Sequence, residues 1–376
     1  MSDVSPTSVA PATAASPAPA PVKVRDPWFD NAKMLLVTLV VVGHAWTLLP
    51  LFADDPGSPL ARGFDKSLYN FLYLWHIPAF VIVTGYLSKS FEYTKPRLWQ
   101  LFTTVAVPYL IFEGLLVSFR HAFLGVTFED VWLSPHWPMW YLAALFCWRL
   151  VTPVFKRMPA KVVVAVVISV LAGLFATDHL DNARVLGLLP FFVLGLKMHE
   201  GHWALLRSRR ARWYGFAVLL LLAALSRWIG DLVETEWLYY RTRYDEISPA
   251  ADTDSLRAFT IRVGMLLSGL VGSFAFFAVV PRGRSWFTSL GGATLVVYLF
   301  HGFVVLGAEA LGFKPVAAEL WPVSWVATTA AAVGLAVLLA WQPVSRRLNL
   351  LVDPVNSFTR WRRARSMRRG RGPTSA

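Results

Sequence analysis

The sequence predicts an all-α fold: a polytopic membrane helix bundle of about ten transmembrane helices. Composition is the first reason. Of 376 residues, 56% are hydrophobic and only 16% are charged, whereas a soluble domain carries about a quarter charged residues. Arrangement is the second. Apolar runs recur with short polar breaks, and each is long enough, or nearly so, to cross about 30 Å of hydrocarbon. Seventeen tryptophans suit the aromatic belts of such a bundle as well as its packing.

The runs are justified in chain order. The first, 34–52, follows a charged cluster of Asp30 and Lys33, and ten uncharged residues separate Lys33 from His44. The second, 67–87, carries His76 and Pro78. The third, 99–118, carries Pro108 and Glu113. The fourth, 138–155, opens on an aromatic group with Trp140 and Tyr141. Runs 161–177 and 184–199 are the shortest, and Pro190 and Gly195 interrupt the second of them. Then come 213–230, 259–280, 288–308 with His301, and 321–341. A proline within a span frees a backbone carbonyl that protein or cavity water must satisfy.

The termini and loops set the orientation. Residues 1–25 are rich in Pro and Ala and lack an apolar core like that of a signal peptide, so a disordered cytoplasmic tail is expected there. A transmembrane domain is expected over 26–343, followed by a basic cytoplasmic tail over 344–376. With ten spans, most of the 36 lysines and arginines fall on one side. The positive-inside rule then places both termini in the cytoplasm of a multi-pass plasma-membrane protein. The basic tail either touches anionic membrane lipid or serves as a solvated topology anchor, and the anchor is the plainer reading. The net charge of +13 does not imply a nucleic-acid partner, because the basic residues lie between apolar runs. One cysteine, Cys147, excludes an intrachain disulfide and a cysteine metal cluster, and no metal is expected.

Three histidines share one depth. At about 1.5 Å per residue, His44 lies roughly 16 Å beyond Lys33, near the bilayer midplane. The same arithmetic places His76 roughly 14 Å and His301 roughly 20 Å into their spans. A lone buried histidine is usually structural, bonded to a neighbouring helix. Three at one depth favour a polar chamber, and an ionisable group there points to function. Glu113, in the outer half of its span, would orient an imidazole or sit in an outer vestibule. Its plainer reading is a carboxylate near the interface. His136 and Trp137, at the outer face, read as belt residues without chemistry.

These motifs, taken in order, resemble the acyltransferase-3 family of integral membrane O-acyltransferases, nearest its sugar O-acetylase-like branch. Asp30, Asn31, Lys33, Gly43 and His44 match its opening motif. His76, Pro78, Phe80, Gly85 and Tyr86 match its second-span pattern, with Trp75 and Thr84 where Phe and Ser are usual. Trp140, Tyr141 and Leu142, then Arg184, Pro190, Phe192 and Gly195, then Tyr298 and His301, resemble later pieces. The resemblance covers about 26–343. It departs at the third span, where some members carry an Arg-x-x-Arg pair and this chain has Arg97 and Gln100.

The resemblance implies acyl transfer from acyl-CoA, with acetyl-CoA the expected co-substrate, to a hydroxyl of a carbohydrate or glycosylated acceptor. Such chemistry requires a base for the hydroxyl proton, and histidine is the usual one near neutral pH. His44 is the expected base, with His76, His301 and Glu113 completing the catalytic set. A transient acyl-imidazole on His44 is the mechanistic alternative. The donor's phosphates are expected at Lys33, Lys89, Lys95 and Arg97. A transporter would also place histidines at the midplane, but its expected sign is an internal repeat, and the order of these motifs shows none.

Overall fold

The computed structural model describes residues 26–50, 59–128, 130–175, 177, 179–241, 243–247, 255–359, 361 and 362. The expected 1–25 tail and the basic run from 363 onward lie outside them. All regular structure among the described residues is helical. The helices are α1 (Pro27–Trp46), α2 (Pro59–Leu87), α3 (Lys95–Leu124), α4 (Trp140–Arg157), α5 (Lys161–Phe175), α6 (Asn182–Gly187), α7 (Leu189–Lys197) and α8 (Glu200–Leu206). They continue as α9 (Arg209–Leu232), α10 (Ser255–Val279), α11 (Thr294–Ala310), α12 (Phe313–Glu319), α13 (Val323–Ala340) and α14 (Gln342–Val352).

Local chemistry explains several boundaries. Asp26 caps α1 by accepting from the Trp28 backbone N–H at 3.0 Å, and Pro27 occupies the first turn, where its missing donor costs nothing. Within α3, residues Phe102–Ala106 form a π turn just before Pro108. Proline cannot donate to the carbonyl four residues back, and a widened turn is one way to carry the helix past it. Gly125, at φ +65°, ends α3 in the left-handed conformation that glycine adopts freely. The interruption expected at Pro190 is a real break: span 184–199 is two helices, α6 and α7, meeting at Leu188.

Every expected span coincides with a helix or a broken helix pair. By length and apolar composition alone, four helical stretches suffice to cross a membrane: Gly63–Leu87, Lys95–Leu124, Leu256–Val279 and Val323–Ala340. α11 and α12, bent by 73° at their junction, make a fifth if taken as one span. The chain is an integral membrane protein built on these apolar helices.

The centre of the bundle is α1 and α2. α1 packs against α2, α11 and α13, and α2 packs on its other sides against α7, α9 and α10. Asn31 anchors the start of α1 by donating to the carbonyls of Pro281 and Gly283, both at 2.9 Å, and accepting from Thr288 Oγ1 at 2.7 Å. α2 and α7 meet backbone to backbone at Gly85 and Gly195. A Cβ on Gly85 would stand 2.1 Å from the Phe192 carbonyl oxygen, and one on Gly195 would stand 2.2 Å from that of Ile82.

Small residues are what allow membrane helices to approach this closely. Gly85→Ala or Gly195→Ala should therefore force α2 and α7 apart, at a cost of about 1–3 kcal/mol. Gly334→Ala, where a Cβ meets nothing within 4 Å, should be neutral. Thermal denaturation in detergent measures this: both tight variants should melt lower than wild type and Gly334→Ala should not.

Candidate functional site

α1 and α11 bring together two of the three histidines expected at the midplane. His44 Nδ1 lies 2.7 Å from His301 Nε2, and the rings stack at 5.0 Å between centroids. Both residues are buried. Their partners assign the tautomers. His301 Nδ1 is 3.1 Å from the Val297 carbonyl oxygen, which can only accept, so Nδ1 carries the proton. Neutral His301 then presents a lone pair at Nε2, and the His44 Nδ1–H donates to it. His44 keeps its own lone pair at Nε2.

That nitrogen belongs to a residue lining a cavity of about 200 Å³. The walls are largely aromatic, with Tyr69, Tyr73, Trp137, Trp140, Tyr239 and Tyr240 among them, and they include Arg184 and Arg241. Arg184 is held by Asp181 at 2.8 Å, by the Tyr239 carbonyl at 3.2 Å and over the Trp140 ring at 4.8 Å. The segment after α9 thus contributes residues 238–241 to the wall.

His76 is also buried, but it bonds within its own helix. Its Nδ1–H donates to the Leu72 carbonyl at 2.7 Å, and Nε2 has no partner among the described residues. No hydrogen bond links it to His44 or His301. Glu113 is fully buried, and its Oε1 accepts from both the backbone N–H of His136, at 3.0 Å, and that residue's Nδ1. It orients an imidazole, but that of His136 rather than a midplane histidine. The effect still reaches the site through Trp137, the next residue, whose indole lies edge-on to His44 at 4.6 Å. α11 fixes the same segment from the other side. The Tyr298 hydroxyl donates to the Pro138 carbonyl and accepts from the Tyr141 N–H at 3.3 Å. A Cβ on Gly302 would meet Pro138 at 2.9 Å.

A second cavity, of about 400 Å³, adjoins the first. Phe80, Tyr141 and Tyr298 line both. Its far end holds Lys33, Gln100, Thr104 and Arg149. Leu87, Gln100 and Arg149 also line a third, smaller cavity with Arg97. Of the four expected donor-binding cations, Lys33 and Arg97 therefore lie along this route. Lys33 pairs with Asp30 at 2.8 Å, and Arg97 donates to Gln100 at 3.2 Å. Lys89 is turned elsewhere, donating to the Met198 carbonyl and lying 5.0 Å from the Tyr86 ring centroid. Its burial lowers its pKa from the ordinary lysine value. Lys95 is exposed at the start of α3 and lines none of the three cavities.

Sequence reasoning missed Trp137 and Arg149 as parts of this site, and met Tyr298 only as a motif residue beside His301. Trp137 read as a belt aromatic. Arg149 left a signal: it is a charge well inside an apolar helix, where charges are costly and usually functional. Among the described residues, no group of three or more His, Cys, Asp or Glu side chains could hold a metal ion.

Comparison with known proteins identifies the family. The acyltransferase-3 family model, described as an acyltransferase domain, matches residues 26–341. The nodulation protein NolL of Mesorhizobium japonicum is 26% identical over 352 residues, covering 85% of this chain and 86% of that protein. The nodulation protein NolL of Sinorhizobium fredii is 24% identical over 342 residues, covering 83% and 86%. No solved structure matches. The family model spans α1 through α13, including every helix that lines the cavities holding His44 and Lys33, and on that ground the chain belongs to the acyltransferase-3 family of membrane O-acyltransferases.

Proposed function

We propose that this protein moves an acetyl group from acetyl-CoA to a hydroxyl of a carbohydrate or glycosylated acceptor, with His44 as general base. The observation that carries this reading is the His44–His301 pair. It leaves one imidazole lone pair, His44 Nε2, on a residue lining an aromatic cavity. The acceptor hydroxyl gives its proton to that nitrogen as its oxygen forms a bond to the thioester carbonyl carbon. The carbon–sulfur bond then breaks, and His44 returns the proton to the leaving thiolate, giving the ester and free CoA. His301 holds the imidazolium through the same Nδ1–H throughout. His301 is a positioning residue in this scheme, as is Glu113 through His136. His76 supports α2 beside the cavity.

The two cavities supply two approaches. Lys33 and Arg97 line the end that would meet the donor's phosphates, and basic side chains suit a polyphosphate. Tyrosine and tryptophan faces with arginine donors suit a sugar, which offers apolar ring faces and hydroxyl acceptors. In this reading ten segments cross the plasma membrane: α1 to α5, the α6–α7 pair, α9, α10, α11 and α13. Both termini and the Lys33 end are cytoplasmic, with residues 238–241 outside. The 26–343 region is the catalytic domain, and the basic 344–376 tail follows it on the cytoplasmic side.

Single-turnover transfer by folded protein tests the base. His44→Ala and His44→Gln should each lower turnover by about 10²–10⁴-fold, since an amide can bond His301 but cannot take a proton. His301→Gln should be milder than His301→Leu, because only the glutamine can accept from His44 Nδ1–H. Near-wild-type turnover in His44→Gln would remove His44 as the base.

Gly302→Ala should displace the Trp137–Pro138 segment from α11 and lower turnover by about 10–100-fold through misplacement alone. The check is turnover together with retained folding, read as a monodisperse elution profile.

Topology is tested by single cysteines in a Cys147→Ser background. Glu236→Cys should react with an impermeant thiol reagent in intact cells, and Gly283→Cys only after lysis. The opposite pattern would invert the orientation.

A further inference from the structure

Among the described residues, Arg149 is the one cation lining the Lys33 and Arg97 cavities that makes no ion pair or hydrogen bond. It is half-buried on α4 and lines both the cavity holding Lys33 and the smaller one holding Arg97. Among the described residues it makes no ion pair and no hydrogen bond. The other cavity-lining cations of α1, α3 and α6 are engaged: Lys33 with Asp30, Arg97 with Gln100, and Arg184 with Asp181. A guanidinium removed from bulk water is costly unless its donors and charge are matched. Nothing described here matches them, so an anion that enters the cavity is the natural complement. The planar fork of an arginine fits phosphate by paired N–H donors.

Position agrees with charge. Tyr141, which lines both main cavities, lies eight residues before Arg149 on the same helix. The helical rise puts them about 12 Å apart, a span that the pantetheine arm of an acyl-CoA can bridge. A thioester at the Tyr141 wall would thus hang its phosphates beside Arg149. Gln100 lines the same two cavities as Arg149, so a cation from α4 stands in space where α3 offers only an amide.

We propose that Arg149 is a phosphate-binding residue of the donor site, which it completes beside Arg97 in place of a second cation on α3. This rests on acyl-CoA being the donor, as proposed above. The test is equilibrium binding of CoA, and separately of pantetheine, to the detergent-solubilised full chain. Wild type should bind both. Arg149→Gln should weaken CoA by about 10–100-fold, the range of one charge-assisted contact, and leave pantetheine unchanged. Arg149→Lys should fall between, keeping charge but losing the fork. Gln100→Arg added to Arg149→Gln should recover most of the CoA affinity, which a merely structural arginine would not allow. Unchanged CoA binding in Arg149→Gln, or an equal loss for CoA and pantetheine, overturns the role of Arg149 while leaving the donor reading intact. Failure of wild type to bind CoA overturns the donor reading, and the role of Arg149 falls with it.

Discussion

The structure depends on a single cross-helix contact, the hydrogen bond between His44 and His301. Inside an apolar bundle each polar group must find its partner within the protein. Several polar side chains here do so locally, on the carbonyl four residues back. Thr38 bonds Met34, Thr84 bonds Phe80, Thr152 bonds Trp148, Ser273 bonds Gly269, His76 bonds Leu72 and His301 bonds Val297. Such bonds satisfy a donor but tie the side chain to its own helix. His44 makes no bond of that kind. It leans across to α11, and it is free to do so because His301 has already spent its own proton on Val297. Two histidines on separate helices thereby form a directed chain, carbonyl to imidazole to imidazole, that ends in an open lone pair.

The rest of the packing serves that contact. Asn31 fixes the start of α1 against the 281–288 segment, which leads directly into α11. α1 and α11 are thereby tied near one end by a neutral amide and deep in the bundle by the imidazole pair. Gly302, one residue after His301, lets Pro138 close onto α11 and brings Trp137 against the His44 ring. Glu113 and Tyr298 hold that same short segment from α3 and α11. The buried carboxylate is two contacts away from His44, and its effect is mechanical: it fixes a backbone, which fixes an indole, which walls the His44 imidazole.

Much of this was legible in the residues. Apolar runs located the long helices but not the short α8, α12 and α14, and the arithmetic of rise per residue led to the expectation that His44, His76 and His301 share one depth. Depth alone could not say which faces turn inward. Ring direction depends on helix rotation, set by packing partners such as Leu72 and Tyr73 against Gly43, and no single helix encodes it. So His76 reads like the other two in sequence, and like His301 it bonds its own helix, yet its Nε2 meets no partner among the described residues where that of His301 meets His44. The same limit hid Lys89. Its position suggested a cytoplasmic cation open to ligand, but the carbonyl of Met198 and the ring of Tyr86 occupy it. Arg149 shows the converse. A charge deep in the aromatic run of α4 was visible, but only the fold reveals that Gln100 lies beside it.

The arrangement of cavities constrains the chemistry further. A hydroxyl and a thioester approaching from different cavities can react only where the cavities adjoin. That boundary is Phe80, Tyr141 and Tyr298, contributed by α2, α4 and α11. Two of its hydroxyls are already committed: Tyr141 donates to Thr84, whose own proton goes to Phe80, and Tyr298 donates to Pro138. Neither tyrosine has a free proton to offer, so the boundary shapes and orients without competing as an acid. His44 lines the aromatic side, where the proposed mechanism has the hydroxyl lose its proton. The unpaired guanidinium of Arg149 lies on the other side, where a polyanion would be held. In the proposed reaction, base and anion site thereby occupy adjoining compartments that meet at Phe80, Tyr141 and Tyr298.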